Sequence, residues 1–184
     1  MSENRELQTT TKPVLLTTLQ PDALGRELRG VRTINDALTI AANRDKYPSL
    51  ARLRAEYGTQ KIEAIIKLHL IDLCENVNLK RPLRDTQVDN IAREIVAEFY
   101  SLTIADIHVI FRKAKTGEYG EFYESLDMPK VLSWFRGYFS DRCTAAAQQS
   151  VNESGIYRTY DTRREGERWR AYFDRMEKKN KQDK

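Results

Sequence analysis

The chain has 184 residues, 40% apolar and 32% charged, with a formal net charge of +4, a composition that suits one soluble domain with its own core. No apolar run approaches the roughly 18 residues that a membrane-spanning helix needs. The positive excess is confined to the end of the chain, because ten Lys/Arg and six Asp/Glu fall between Arg158 and Lys184 while the first 157 residues carry 21 of each sign. Such asymmetry points to an acidic partner.

The opening stretch, MSENRELQTTTKP, is polar and threonine-rich and lacks the basic start and apolar core of a secretory signal. Residues 1–20 are expected to be flexible, with Val14, Leu15 and Leu16 as a short apolar patch. Helical character begins at Pro21 and stops near Gly30. Ile34, Ala37, Leu38 and Ala41 mark a second short helix over Ile34–Asn43. Pro48 to Gly58 reads as a compact helix with proline at its start and glycine at its left-handed exit.

Thr59–Val77 is a strong amphipathic helix whose face carries Ile62, Ile65, Ile66, His69, Leu70 and Leu73. After a polar connection, Asp85 or Thr86 is expected to cap the next helix, with Asp89 completing a capping box behind Thr86. Val88, Ile91, Ala92, Ile95 and Phe99 form its buried stripe. Thr103, with Asp106 three residues on, caps a helix carrying Ile104, Ile107, His108, Phe111 and Ala114 on one side and Val109 and Ile110 on the other. Apolar almost all round, it belongs at the centre of the fold. Gly117 ends it, and Asp127 caps the helix that follows, with Pro129 in its first turn. Met128, Val131, Leu132, Phe135, Tyr138 and Phe139 face its core side. Gln148–Gly155 is poor in apolar residues and reads as a linker. Beyond Asp161, Trp169, Tyr172, Phe173 and Met176 draw a narrow stripe along a charged helix.

No segment alternates as a strand would. The expected fold is all-α: a single bundle-like domain of about six to eight helices over residues 21–150, followed by a linker and basic C-terminal helix over 151–184.

The side-chain inventory argues against catalysis. His69 and His108 are the only histidines, and each lies on an apolar stripe, where a core role is the ordinary one. Cys74, Cys143, His69 and His108 have zinc-ligand chemistry but lack any CxxC or HxxxH pairing that would preorganise a site. Both cysteines fall on predicted helices, which suits buried thiols in a reducing cytoplasm. No phosphate loop, nucleophile elbow or HExxH helix is present, and the acidic residues are spread singly on exposed faces. No cofactor or metal is expected.

Two basic elements remain. In the loop from Arg112 to Tyr123, Arg112, Lys113 and Lys115 complement a helix C-terminus, and the same cations beside Tyr119 have the chemistry that holds single-stranded nucleic acid. In the tail, Arg163, Arg164, Arg168, Arg170 and Arg175 surround Trp169, enough for phosphate contacts and a stack. Interspersed Glu165, Glu167, Asp174 and Glu177 equally suit a solvated helix held by pairs four residues apart.

At PSLARLRAEYG, LTIADIHVIFRKAKTGEYGEFYESLD and VLSWFRGYFSDR, within about Pro48–Arg142, the chain resembles a group of small helical proteins carried by bacterial prophages and mobile elements. The K-x-G-x-Y-G-x-x-Y core, Lys115 to Tyr123, is the most specific part. The resemblance carries over no catalytic or binding residue. Its genetic setting implies replication or transfer of mobile DNA, including loading of a replicative helicase. The resulting expectation is a non-enzymatic, cytoplasmic, DNA-associated accessory or adaptor protein whose partners are nucleic acid and a host or phage replication protein. The alternative is a protein–protein interaction module without nucleic-acid binding.

Overall fold

A computed structural model of the chain describes residues 16–77, 79–120 and 126–182, apart from the side chains of 155–163, 165, 173 and 176–182. A 3-10 turn over Leu16–Leu19 precedes seven α-helices: α1 (Pro21–Glu27), α2 (Ile34–Ala41), α3 (Leu50–Tyr57), α4 (Thr59–Asn76), α5 (Asp85–Glu98), α6 (Ile104–Lys115) and α7 (Met128–Gln182). No strand occurs among the described residues, so the fold is all-α. Val14 and Leu15 lie outside the described residues, whereas Leu19 is buried. The chain divides into two compact units, Met1–Arg142 and Cys143–Lys184.

In the first unit, helix ends follow local chemistry. The Thr33 hydroxyl accepts from the Asp36 amide at 3.1 Å, and the Asp36 carboxylate accepts from the Thr33 amide at 2.9 Å. Ser49 caps α3 by accepting from the Arg52 amide, and Gly58 leaves that helix at φ 88°, where a Cβ would be strained. The cap of α5 sits upstream of its expected place. Arg84 is the capping residue, and its amide donates to the Gln87 side chain at 3.0 Å, leaving Asp85 in the first turn, where its charge complements the dipole.

α4 and α5 pack most extensively, α6 lies against α2, α4 and α1, and α3 packs on α4. α6 is central as its composition requires, with Ile104, Ala105, Ile107, Val109, Ile110, Phe111 and Ala114 all buried. Backbone pairing ties α3 to its N-terminus. An isolated antiparallel bridge joins Ser49 to Thr103, and the Leu50 and Ala51 amides donate to the Leu102 and Tyr100 carbonyls, both at 2.8 Å. An aromatic chain runs through the core: His69 stacks on Phe111, Phe111 meets Phe135 edge-on, Phe135 meets Phe99, and Phe99 meets Phe139. Each such pair adds about 0.5–1.5 kcal/mol beyond the area it buries.

Two expectations are corrected. Residues 148–155, read as a linker, are helical throughout. They contain no proline, and Gln148–Asn152 and Gln149–Glu153 side-chain hydrogen bonds bridge successive turns at 3.0 and 3.2 Å, which supports a helix without an apolar face. Both cysteines are free, but Cys143 is exposed and Cys74 only half-buried.

Candidate functional site

The basic residues singled out from the sequence fall in different surroundings. In the first unit, the last turn of α6 presents three cations, and each meets a partner within the fold. An Arg112 Nη donates to the Arg29 carbonyl at 3.4 Å. Lys113 pairs with Glu118 at 3.2 Å. Lys115, exposed as a residue, pairs with Asp72 of α4. The spacing of α6 splits the trio, since residues two apart point to opposite sides of a helix. Arg112 and Lys115 thus line one cavity of about 220 Å³ with His69, Asp72 and His108, while Lys113 turns to the loop. Gly117 and Gly120, at φ 79° and 85°, permit the chain reversal that follows. Tyr119 is half-buried, its ring stacked on Trp134 with centroids 5.4 Å apart and an interplanar angle of 10°. One face of the ring is therefore occupied. Burial raises the Tyr119 phenol above its usual pKa, so it is neutral at pH 7.

The two histidines, distant in sequence, meet in the same cavity. His69 Nε2 lies 2.9 Å from the Leu19 carbonyl. A carbonyl only accepts, so Nε2 carries the proton and donates. Burial pushes His69 down to about 4. His108 is also pushed down to about 4, by burial and then by the positive charges of Arg112 and Lys115. Both imidazoles are neutral at pH 7. Sequence pattern placed them correctly on apolar stripes, but their convergence depends on how α4 and α6 cross.

One buried polar cluster escaped the sequence reading. Asp106 is fully buried, contrary to the expectation that the acidic residues lie on exposed faces. One carboxylate oxygen accepts from the Thr103 amide and hydroxyl, both at 2.8 Å, and the other from the Tyr138 hydroxyl at 2.8 Å and Arg142 Nε at 2.9 Å. Four donors satisfy the carboxylate, which makes its burial tolerable. Its capping role was legible, but Tyr138 and Arg142 lie too far along the chain for local pattern to connect them.

In the second unit, Arg164, Arg168, Trp169, Arg170 and Arg175 are all exposed on α7. The Arg163 side chain lies outside the described residues. Arg164, Arg168 and Arg175 are separated by four and seven residues, which puts them on one face of the helix, about 6 and 10 Å apart along its axis. Arg170 points well round from that face. Tyr172 borders that face, whereas Trp169 lies more than about 90° round the helix from it; the two are 47% and 62% exposed, in edge-to-face contact with centroids 6.1 Å apart.

Among the described residues, no group of three His, Cys, Asp or Glu side chains is placed to hold a metal ion, and no helix is long and apolar enough to cross a membrane. No protein-family model, curated protein or solved structure matches the chain.

Proposed function

We propose that this is a non-enzymatic, DNA-associated accessory protein in which the basic face of α7 contacts phosphates and the helical body acts as an adaptor. The observation that carries this reading is the aligned, exposed Arg164, Arg168 and Arg175 on the unit that holds the chain's positive excess. Their guanidiniums are suited to phosphate oxygens. Tyr172 at the edge of that face, with Trp169 against it further round the helix, offers a ring on which an unpaired base can stack. The setting, replication or transfer of mobile DNA with a helicase-loading partner, follows from the resemblance at Lys115–Tyr123. The cations of the α6 end are left out of the contact, because Arg112, Lys113 and Lys115 are each engaged within the fold.

The histidines support the non-enzymatic part. An imidazole pushed to about 4 is deprotonated at neutral pH yet too weak a base for efficient proton abstraction there. The test is titration of labelled single- and double-stranded DNA at about 50 mM salt, where non-specific binding is strongest. Binding at micromolar protein that weakens steeply with added salt is expected. No binding at tens of micromolar protein, roughly the range of ordinary non-specific affinity, would end the proposal.

A second reading, a protein-interaction module, draws on the exposed Trp169 and Tyr172, the residue types that anchor interfaces. In sequence, Phe173 and Met176 extend their stripe. Capture of a partner from nuclease-treated host extract, lost when the chain is cut at Gly155 and accompanied by no nucleic acid, would favour this second reading.

A further inference from the structure

We propose that the first unit holds a binding pocket for a phosphate monoester, built from residues other than Arg164, Arg168 and Arg175 and other than those of the histidine cavity. A cavity of about 560 Å³ opens beside the end of α2 and the starts of α3 and α6, within the volume range of small-molecule sites. Arg44, Arg52 and Arg142 line it together with Ser49, Ser101 and Thr103. No carboxylate is among its lining residues. Asp45 and Asp106 balance Arg52 and Arg142 from behind the lining, so the positive excess at the cavity is that of Arg44, and it favours an anion.

Two of the three arginines are fixed before any ligand arrives. Arg52 donates to the Arg44 carbonyl at 3.1 Å and to Asp45 at 2.9 Å. Arg142 is held through Nε by the fully buried Asp106, and its Nη groups have no hydrogen-bond partner among the described residues. A carboxylate that is itself locked by Thr103 and Tyr138 orients Arg142 as an outer-shell partner orients a ligand-binding group, which lowers the ordering cost of binding. Arg44 is exposed and makes no ion pair among the described residues. It supplies the uncompensated charge.

The first amides of α3, and that of Ile104 in α6, are already engaged within the fold. The Leu50 and Ala51 amides are engaged with the Leu102 and Tyr100 carbonyls, the Ile104 amide with Pro48, and the Arg52 amide with Ser49. The guanidiniums must therefore hold the ligand, which selects a group able to accept several donors at once. A terminal phosphate, with three oxygens and nearly two negative charges at neutral pH, meets that demand. The ligand class is a small molecule or a nucleic-acid end carrying such a phosphate.

The test uses the full-length protein with Arg164, Arg168 and Arg175 changed to alanine, so that failure of the α7 contact and failure of this pocket are read separately. Calorimetric titration is run with AMP, with adenosine as the uncharged control, and with a 5′-phosphorylated oligonucleotide against its 5′-hydroxyl counterpart. Saturable binding of AMP, at a Kd of about 1 mM or tighter, without binding of adenosine is expected. Adding Arg44→Ala should weaken it about tenfold, the loss of one charge-assisted contact. If only the 5′-phosphorylated oligonucleotide binds, again through Arg44, the phosphate source is a nucleic-acid end. Arg44→Ala is the informative variant because Arg44 is exposed and carries no ion pair in the fold, and unchanged circular dichroism confirms that it folds. Absence of binding by every phosphate probe, or binding that Arg44→Ala and Arg52→Ala leave unchanged, overturns the proposal.

Discussion

Tyr119 lies flat on Trp134, the two ring centroids 5.4 Å apart and the planes 10° from parallel. The contact closes the turn after α6 onto the first turns of α7, and it sets Tyr119 to brace the core. The Tyr119 hydroxyl is buried with no hydrogen-bond partner among the described residues. A buried polar group left unpaired costs about 1–3 kcal/mol. Tyr119→Phe keeps the stacked ring and removes the orphaned oxygen, so urea denaturation should find it as stable as the native chain or about 1 kcal/mol more so. Tyr119→Ala removes the ring and should lose about 3 kcal/mol or more. Greater loss from Tyr119→Phe than from Tyr119→Ala would exclude the bracing role.

Asp106 makes a second prediction. Its carboxylate is the shared acceptor for Thr103, Tyr138 and Arg142, and removing its charge strands the Arg142 guanidinium, whose side chain is only 17% exposed. Asp106→Asn should destabilise by about 3–5 kcal/mol, the usual result of breaking one side of a buried pair. Tyr138→Phe removes one donor of four and should lose about 1 kcal/mol. The double variant should lose less than the two separate losses together, because both act on one network.

Acid sensitivity follows from His69. Its folded pKa is about 4, against 6.5 for the free side chain, with burial the main cause. A base whose pKa is lowered on folding binds fewer protons folded than unfolded between those values, so stability falls as pH drops through that window. From pH 7 to pH 5 the contribution of His69 falls by about 2 kcal/mol. Asp72 acts to raise its pKa, and Lys115 and His108 act to lower it; the last titrates in the same window. His69→Gln retains a donor for the Leu19 carbonyl without titrating. Denaturation midpoints measured from pH 7 to pH 5 should fall less steeply in His69→Gln than in the native chain. An identical slope would show that His69 is solvated at low pH.

The helices of the first unit were readable because their signals are local. Thr103 and Asp106 mark the start of α6, Gly117 marks its end, and the stripe through Ile62, Ile66, Leu70 and Leu73 gives α4. What escaped depends on contacts between elements. Asp106 caps its own helix as expected, yet nothing near it in sequence announces Arg142. Arg44, Arg52 and Arg142 share a cavity only because the Ser49–Thr103 bridge holds α3 against the start of α6. Residues 148–155 misled for the opposite reason. A helix held by its own Gln–Asn and Gln–Glu pairs has no apolar stripe, and without one it resembles a loop.

The most direct measurement is the salt dependence of DNA affinity for the native chain beside the variant with Arg164, Arg168 and Arg175 replaced by alanine. If these arginines neutralise three phosphates, the slope of log affinity against log salt should become shallower by about 2–3 on duplex DNA, and affinity should fall at every salt concentration. Equal slopes and equal affinities for the two proteins would contradict the assignment of the contact to α7.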